Sequence, residues 1–252
     1  MGKIVAIGGG EIRFNETLPI DRYIVEFANI KNPKILFIPT ASNDAQGYIE
    51  TIKNVYGEQL GCAVDTLCLV DNELSDETIK GKIFSSNIIY VGGGNTVKMM
   101  EIWRANKVDQ YLKEAYAYNI VLSGLSAGSI CWFLEGHSDS SLETNLYGWW
   151  DKEKVIGLGL IPAINCPHYN ENGYEKFDDS ISHGEGPGIA LDNNVAFVIE
   201  EDMYKIIKSD IQSKAYLIHN NNGIKNKIEL NNCDFRRLSD IFDFSLINRR
   251  MS

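Results

Sequence analysis

Short apolar runs alternate with longer amphipathic stretches through the first half of the chain. In the amphipathic stretches apolar residues recur at helical spacing, as at Ile20, Ile24 and Phe27, which indicates helices with one buried face. Several of the apolar runs have no polar interruption, which is typical of strands covered on both faces. The predicted strands are Lys3–Ile7, Lys34–Ile38, 63–69, 87–91 and 120–123. This order predicts an α/β fold with a doubly wound, mostly parallel sheet flanked by helices.

The pattern changes after about residue 136, where polar segments separate shorter apolar runs. Residues 136–151 and 170–187 are predicted loops, and the pair Trp149-Trp150 in the first of them is a candidate pocket wall. A short strand is predicted at 161–165. Four more, expected to extend or flank the main sheet in antiparallel fashion, are predicted at 188–191, 195–199, 204–207 and 215–219. No repeat or low-complexity linker divides the chain, so we expect residues 1–252 to form a single domain.

The charge balance and the cysteine count limit the functional classes to which this protein can belong. The chain carries 34 acidic and 24 basic residues, a formal net charge of −10. Binders of nucleic acids or anionic membranes cluster Lys and Arg, so this balance argues against both partners. No apolar run reaches the roughly 18 residues of a membrane span, and the N-terminus is expected to be a strand and not a signal peptide. Five cysteines without a Cys-x-x-Cys pair argue against a disulfide framework or zinc site. We therefore expect a cytoplasmic protein without metal or cofactor.

Ser126 lies in the segment Gly124-Leu125-Ser126-Ala127-Gly128, which follows an apolar run and precedes a segment that can be helical. This Gly-x-Ser-x-Gly form is typical of a nucleophilic serine on a tight strand-to-helix turn. The backbone N–H of Ala127 could then stabilise an oxyanion. The alternative is a serine that caps the helix after a buried strand.

Two glycine-rich turns follow predicted strands. Gly92-Gly93-Gly94-Asn95-Thr96 could bind a phosphate or supply a second oxyanion donor, but it lacks the sequence of a P-loop. Gly8-Gly9-Gly10 follows the first strand and raises the same two possibilities, but the interpretation we prefer is a permissive strand-to-loop turn.

His168 is the candidate base for a serine nucleophile. It ends an apolar run, follows Pro167 and begins a polar loop, a position that lines the ligand crevice in open α/β sheets. The alternative is a partly buried histidine bonded to a backbone carbonyl. Asp192 and Asn193 follow another apolar strand and are candidates to orient the imidazole. The other histidines are His137, His183 and His219, and the other candidate acids are Asp139, Glu143, Glu171 and Glu185.

Three motifs together resemble the serine peptidases that include peptidase E and cyanophycinase. They are Val91-Gly92-Gly93-Gly94-Asn95-Thr96, Gly124-Leu125-Ser126-Ala127-Gly128 and Asn165-Cys166-Pro167-His168-Tyr169. The resemblance implies a fold similar to the glutaminase domain of class I amidotransferases (flavodoxin-like), and amide hydrolysis through a serine acyl-enzyme. It implies Ser126 as nucleophile, His168 as general base and the N–H groups of Gly94 and Ala127 as oxyanion hole. Asn95 and Tyr169 become candidate substrate-binding residues, and a homodimer is a family-level expectation.

The chain departs from this family in two places. The family usually has a glutamate as third triad member, where this chain has Asn193 preceded by Asp192. The family also carries arginines after the histidine, whereas residues 170–187 contain no arginine, one lysine and five acids. Aspartyl specificity is therefore not expected, and the acids either hold a substrate's amino group or basic side chain, or solvate a loop.

The leading hypothesis is a serine peptidase that hydrolyses small peptides in the manner of a dipeptidase. The alternatives are a binding or regulatory protein that kept the scaffold but lost turnover, and a hydrolase of non-peptide acyl substrates.

Overall fold

The structure is a computed structural model that describes residues 2–138, 153–181, 186–221 and 223–242. Its strands are β1 (Lys3–Ile7), β2 (Lys34–Ile38), β3 (Ala63–Thr66), β4 (Ile88–Val91), β5 (Val121–Leu125), β6 (Phe133–Ser138), β7 (Glu153–Ile156), β8 (Ile161–Cys166), β9 (Gly188–Leu191), β10 (Val195–Glu200), β11 (Met203–Lys208), β12 (Ala215–Asn221), β13 (Ile224–Leu230) and β14 (Arg236–Arg237). Its α-helices are α1 (Leu18–Phe27), α2 (Gln46–Ile52), α3 (Asp76–Phe84), α4 (Thr96–Ala105), α5 (Val108–Ala117), α6 (Ala127–Ile130) and α7 (Phe177–Ser180), and α2 continues as a π-helical segment over Lys53–Gln59.

The larger sheet has the order β14-β11-β10-β1-β5-β4-β2-β3. Strands β1 to β5 pair in parallel, and β10 and β11 extend the sheet in antiparallel fashion. The predicted doubly wound, mostly parallel sheet is therefore confirmed. Strand β1 lies beside β5 with Ile7 opposite Leu125, so the residues that follow both strands meet at one edge.

A second sheet was not predicted as a separate layer. Its order is β13-β12-β9-β8-β6-β7, and β8 pairs in parallel with both β6 and β9. One apolar cluster joins the two sheets, with Ile4 and Leu122 from the first and Ile189 and Leu217 from the second. The chain also passes between the sheets several times, because β10, β11 and β14 return to the first. Both features support the single-domain interpretation, which stays a prediction.

Three further features of the described residues concern the cysteines, the helix lengths and the grouping of metal-ligating side chains. All five cysteines are free thiols. In the part of the chain that the structure describes, no helix has the length and apolar character needed to cross a bilayer. Across the same residues, no group of three or more His, Cys, Asp or Glu side chains is arranged to hold a metal ion.

Candidate active site

Ser126 occupies a tight turn between β5 and α6. Its backbone has φ 58° and ψ −112°, a conformation rare for a residue with a side chain, and its N–H donates to the Ile7 carbonyl at 3.0 Å. Two glycines let the turn pack closely. A Cβ on Gly124 would lie 2.4 Å from the Gly128 carbonyl oxygen, and one on Gly128 would lie 2.2 Å from that of Val91. The strand-to-helix context expected around Ser126 is therefore present.

His168 follows β8 and reaches Ser126 from the neighbouring sheet. Its backbone also has a positive φ, 54°, and its N–H donates to the Gly8 carbonyl at 3.1 Å. The imidazole Nε2 lies 2.8 Å from Ser126 Oγ, and Nδ1 lies 2.7 Å from Asn193 Oδ1. Side chains that follow β5 of the first sheet and β8 and β9 of the second therefore form one hydrogen-bonded chain.

Asn193 fixes which nitrogen of the imidazole carries the proton. Its Nδ2 donates to Glu171 Oε1 at 2.9 Å, so its Oδ1 is the atom that faces His168. An amide oxygen accepts but cannot donate, so Nδ1 must carry the hydrogen of the neutral ring. The lone pair on Nε2 then points at the Ser126 hydroxyl, which is the arrangement a general base requires.

Glu171 also touches the imidazole. Its Oε1 lies 3.1 Å from His168 Nδ1, and its carboxylate is about half exposed. The Glu171 N–H donates to the His168 carbonyl at 2.9 Å, so a turn holds the two residues together. Glu171 was one of several candidate loop acids, and nothing in the sequence separates it from the others.

Asp192 is directed elsewhere, although it was an equal candidate to orient the histidine. The side chain is buried, and Oδ2 accepts the Lys214 backbone N–H at 2.8 Å. Burial raises the pKa of this carboxyl above its ordinary value. Neighbouring residues at a strand end point in opposite directions, so the structure brings Asn193, and not Asp192, to His168.

The remaining candidates from the sequence lie in other places. His137 is on β6, where its Nε2 lies 3.2 Å from Ser180 Oγ, and His219 is on β12. Asp139, Glu143, Trp149, Trp150, His183 and Glu185 fall outside the described residues.

The turn after β1 has a role that the sequence analysis did not assign. The sequence alone favours a merely permissive turn for Gly8-Gly9-Gly10. A Cβ on Gly9 would lie 1.9 Å from Asn193 Oδ1 and 2.5 Å from His168 Nδ1. The missing side chain at Gly9 therefore makes room for the hydrogen bond between the imidazole and the amide.

A cavity of about 680 Å³ opens beside Ser126 and His168. Part of its wall comes from the loop between β1 and α1, which contributes Glu11, Arg13 and Glu16. Arg13 Nε pairs with Glu11 Oε2 at 3.0 Å, and Glu16 Oε2 accepts the Glu11 N–H at 2.8 Å. The sequence does not predict that this loop is part of the site, because its residues form no motif and lie over 100 positions before Ser126.

The second glycine turn contributes Gly93 to the cavity. The Gly93 N–H points at Tyr48 Oη, 3.5 Å away, and Tyr48 from α2 also lines the cavity. Gly94, the predicted oxyanion donor, has φ 135° and packs on Ala41, where a Cβ would lie 2.2 Å from the carbonyl oxygen. The structure thus brings Gly93 to the cavity wall, and a role for Gly94 stays a prediction.

The two candidate substrate-binding residues have structural contacts instead. Asn95 caps α4, since its Oδ1 accepts the Lys98 N–H at 2.9 Å. The Tyr169 side chain is buried, donates to Asp178 Oδ1 at 2.6 Å and contacts Lys227. Neither is among the described residues that line the cavity, and a contact of either residue with a substrate stays a prediction.

The model of peptidase family S51 matches residues 4–207. The chain belongs to peptidase family S51. It is 31% identical over 223 residues to the uncharacterized peptidase YgaJ of Bacillus subtilis, covering 86% of this chain and 92% of YgaJ. It is 26% identical over 176 residues to the uncharacterized peptidase Lmo0363 of Listeria monocytogenes, covering 67% and 80%.

Solved structures share the fold of this S51 peptidase. A peptidase from an acI-B1 Actinobacterium superposes with a TM-score of 0.67 at 18% identity, covering 94% of this chain and 97% of that one. A protein of Listeria monocytogenes EGD-e whose structure is named as a putative peptidase E superposes with a TM-score of 0.63 at 21% identity, covering 82% and 98%. Family membership makes the protein a hydrolase of the serine peptidase class, as the resemblance implied.

Proposed function

We propose that this S51 peptidase hydrolyses amide bonds of small peptides through an acyl-enzyme on Ser126, with His168 as general base. The observation that carries the proposal is the 2.8 Å contact between Ser126 Oγ and His168 Nε2. The Nδ1–H tautomer that Asn193 imposes leaves Nε2 free to accept the serine proton.

In the first step, Ser126 Oγ attacks the substrate carbonyl while Nε2 takes the hydroxyl proton. The tetrahedral intermediate collapses, the C–N bond breaks and the imidazolium returns that proton to the leaving amine. Water then attacks the ester carbon, with His168 again taking and returning a proton. The products are an amine and a carboxylic acid, and Ser126 is regenerated.

The oxyanion needs backbone donors close to Ser126. We assign one to the Ala127 N–H, which follows the nucleophile at the start of α6. The second comes from the turn Gly92-Gly93-Gly94, either from the predicted Gly94 or from Gly93, whose N–H faces Tyr48. Removing a single donor of this kind typically costs about 10²–10³-fold in turnover.

The charges on the cavity wall support a substrate with a free amino group. Glu11, Glu16 and Glu171 line the cavity together with Arg13, which is already paired with Glu11. A positively charged amino terminus fits this wall better than an aspartyl side chain does. Small peptides also suit a cavity of about 680 Å³, so we propose a dipeptidase-like activity without aspartyl specificity.

A fluorophosphonate probe tests the proposal. Serine hydrolases react with it by attack of the serine oxygen on phosphorus and loss of fluoride, which needs an activated hydroxyl. We expect the wild-type protein to be labelled, and Ser126→Ala and His168→Ala to lose labelling while remaining folded by circular dichroism. Ser129→Ala is a matched control, because Ser129 is buried and bonded to Asn165. An unlabelled wild type would favour the binding protein.

A peptide and ester library then separates the two catalytic alternatives. Cleavage of dipeptides with a free amino terminus supports the peptidase, whereas turnover of esters alone supports the acyl hydrolase. We also propose a cytoplasmic location, because five free thiols suit a reducing compartment. The homodimer stays a prediction that sedimentation can test.

A further inference from the structure

The residue that accepts the hydrogen bond from His168 Nδ1 is neutral, so the source of a negative charge beside the imidazole is not obvious. During the proposed reaction the imidazole becomes a cation, and a carboxylate at Nδ1 normally stabilises it. In this chain the partner is the Asn193 amide, which orients the ring but carries no charge. Any inference about the source of this charge rests on the proposed serine mechanism.

Glu171 lies where the missing charge is needed. Its Oε1 is 3.1 Å from His168 Nδ1 and 2.9 Å from Asn193 Nδ2, so one carboxylate oxygen contacts both members of the pair. The Asn193 amide is also polarised so that its oxygen becomes more negative beside the ring. Its NH₂ group donates to the carboxylate, while its oxygen accepts from the imidazole.

The surrounding contacts fix this arrangement in place. The turn from His168 to Glu171 positions the carboxylate relative to the imidazole. The Asn193 backbone is held to the same loop, because its N–H donates to Asn170 Oδ1 at 2.9 Å. In the described part of the chain, the ion pair formed by Glu171 is the one with His168, so no lysine or arginine there lies within ion-pairing distance of its carboxylate. Its charge therefore acts on the imidazole.

We infer that Glu171 is the charged positioning residue of this site, supplying directly and through Asn193 the negative charge that the third residue lacks. The orienting and the charge-bearing roles, which one carboxylate usually combines, are divided between Asn193 on the strand end and Glu171 on the loop. In this role Glu171 touches no reacting atom and acts through His168.

The experiment compares second-order rate constants for fluorophosphonate labelling. The proteins are the wild type, Glu171→Gln, Asn193→Asp, the double variant and the surface control Glu58→Gln. The probe carries no amine, so a role of Glu171 in binding a substrate amino group would not change its rate. Gln keeps the size and the hydrogen-bonding oxygen of Glu171, so the substitution removes mainly the charge.

We expect Glu171→Gln to label about tenfold more slowly than the wild type, the effect of one partly screened charge at this distance. Asn193→Asp alone should bring no gain, because two carboxylates would then lie within 2.9 Å. In the double variant the introduced aspartate restores a single charge beside Nδ1, and labelling should return to within about threefold of wild type.

Two results would overturn the inference. One is Glu171→Gln labelling at the rate of Glu58→Gln, and the other is a slow Glu171→Gln that Asn193→Asp fails to rescue, which indicates a structural role. Either result leaves the serine mechanism standing, since the wild type still labels. A folded wild type that does not label overturns the mechanism itself and this inference with it.

Discussion

At the scale of single residues, the main chain holds the reacting pair in place. Ser126 and His168 both have positive φ values, which cost energy for residues with a Cβ. Each is anchored by its N–H, to the carbonyls of Ile7 and Gly8 at the end of β1. Because these anchors are backbone bonds, side-chain substitutions should leave the backbone of the site intact and report on chemistry.

The contrast between Asn193 and Asp192 is a first test at this scale. Asn193→Ala removes the acceptor that selects the Nδ1–H tautomer, and we expect turnover to fall by roughly 10²–10⁴-fold. Asp192→Asn keeps an oxygen for the Lys214 N–H, so turnover should stay within about twofold. Steady-state peptide hydrolysis measures both. Equal losses in the two variants would contradict the arrangement seen here.

The sequence allowed part of this site to be predicted. Ser126 and His168 lie in motifs whose neighbours specify a turn, so their convergence could be expected. The choice between Asp192 and Asn193 depends on side-chain direction at a strand end, which only the pairing of β9 decides. Glu171 and Tyr48 could not be assigned, because they reach the cavity through folding contacts and lie in no motif.

At the scale of elements, the end of β1 organises the site. Strand β1 lies between β5 and β10, so its last residues adjoin the turn that carries Ser126 and the segment that carries Asn193. The Gly8 N–H donates to Val195, and the Asn194 N–H donates to the Gly9 carbonyl at 2.9 Å. A side chain on this turn would therefore disturb residues from both neighbours.

Gly9→Ala tests this conclusion. The new Cβ would overlap Asn193 Oδ1, and the amide would have to leave the imidazole. We expect a loss of about tenfold or more in fluorophosphonate labelling of a folded protein, because the orienting hydrogen bond is lost. Gly81→Ala is the matched control, since its Cβ would enter open space on α3. That variant should label normally and gain about 0.5–1 kcal/mol of stability. Unchanged labelling of Gly9→Ala would contradict the proposed role.

The strands differ in how well the sequence predicts them. The parallel strands β1, β2 and β4 are almost entirely apolar, because both faces are covered, and β5 is equally buried although it contains Ser123 and Gly124. All four were predicted. Strand β13 was missed because nearly all of its residues are exposed. Its sequence therefore lacks the alternation of apolar and polar residues that a strand with one buried face shows. The second sheet depends on pairings between distant segments, such as β9 with β12. The local pattern of apolar residues cannot predict which distant strands pair.

At the scale of the whole molecule, one buried carboxyl group makes stability depend on pH. Asp21 on α1 is fully buried and accepts hydrogen bonds from Tyr56 at 2.7 Å and Thr17 at 2.8 Å. Burial raises its pKa from 3.8 to about 7, although both hydrogen bonds act to lower it. The contact joins α1 to the π-helical segment after α2, so its protonation state affects the packing of two elements on the sheet.

Since the pKa of Asp21 is higher in the folded than in the unfolded state, the native protein binds the extra proton between about pH 4 and 7. The free energy of unfolding should therefore fall as pH rises through this window, by up to about 4 kcal/mol, and level off above it. Asp21→Asn resembles the protonated carboxyl group and cannot ionise, so it should lose this component. Urea unfolding at about pH 5 and pH 8, on either side of the folded-state pKa, measures it.

The comparison between variants isolates Asp21 from the other titrating groups. The wild type should lose stability relative to Asp21→Asn as the pH rises, whereas the surface variant Glu58→Gln should follow the wild type. Groups such as Asp65, whose pKa is lowered, titrate below the window and are common to all three proteins, so they cancel in the differences. A constant difference between wild type and Asp21→Asn would show that Asp21 does not titrate in this range.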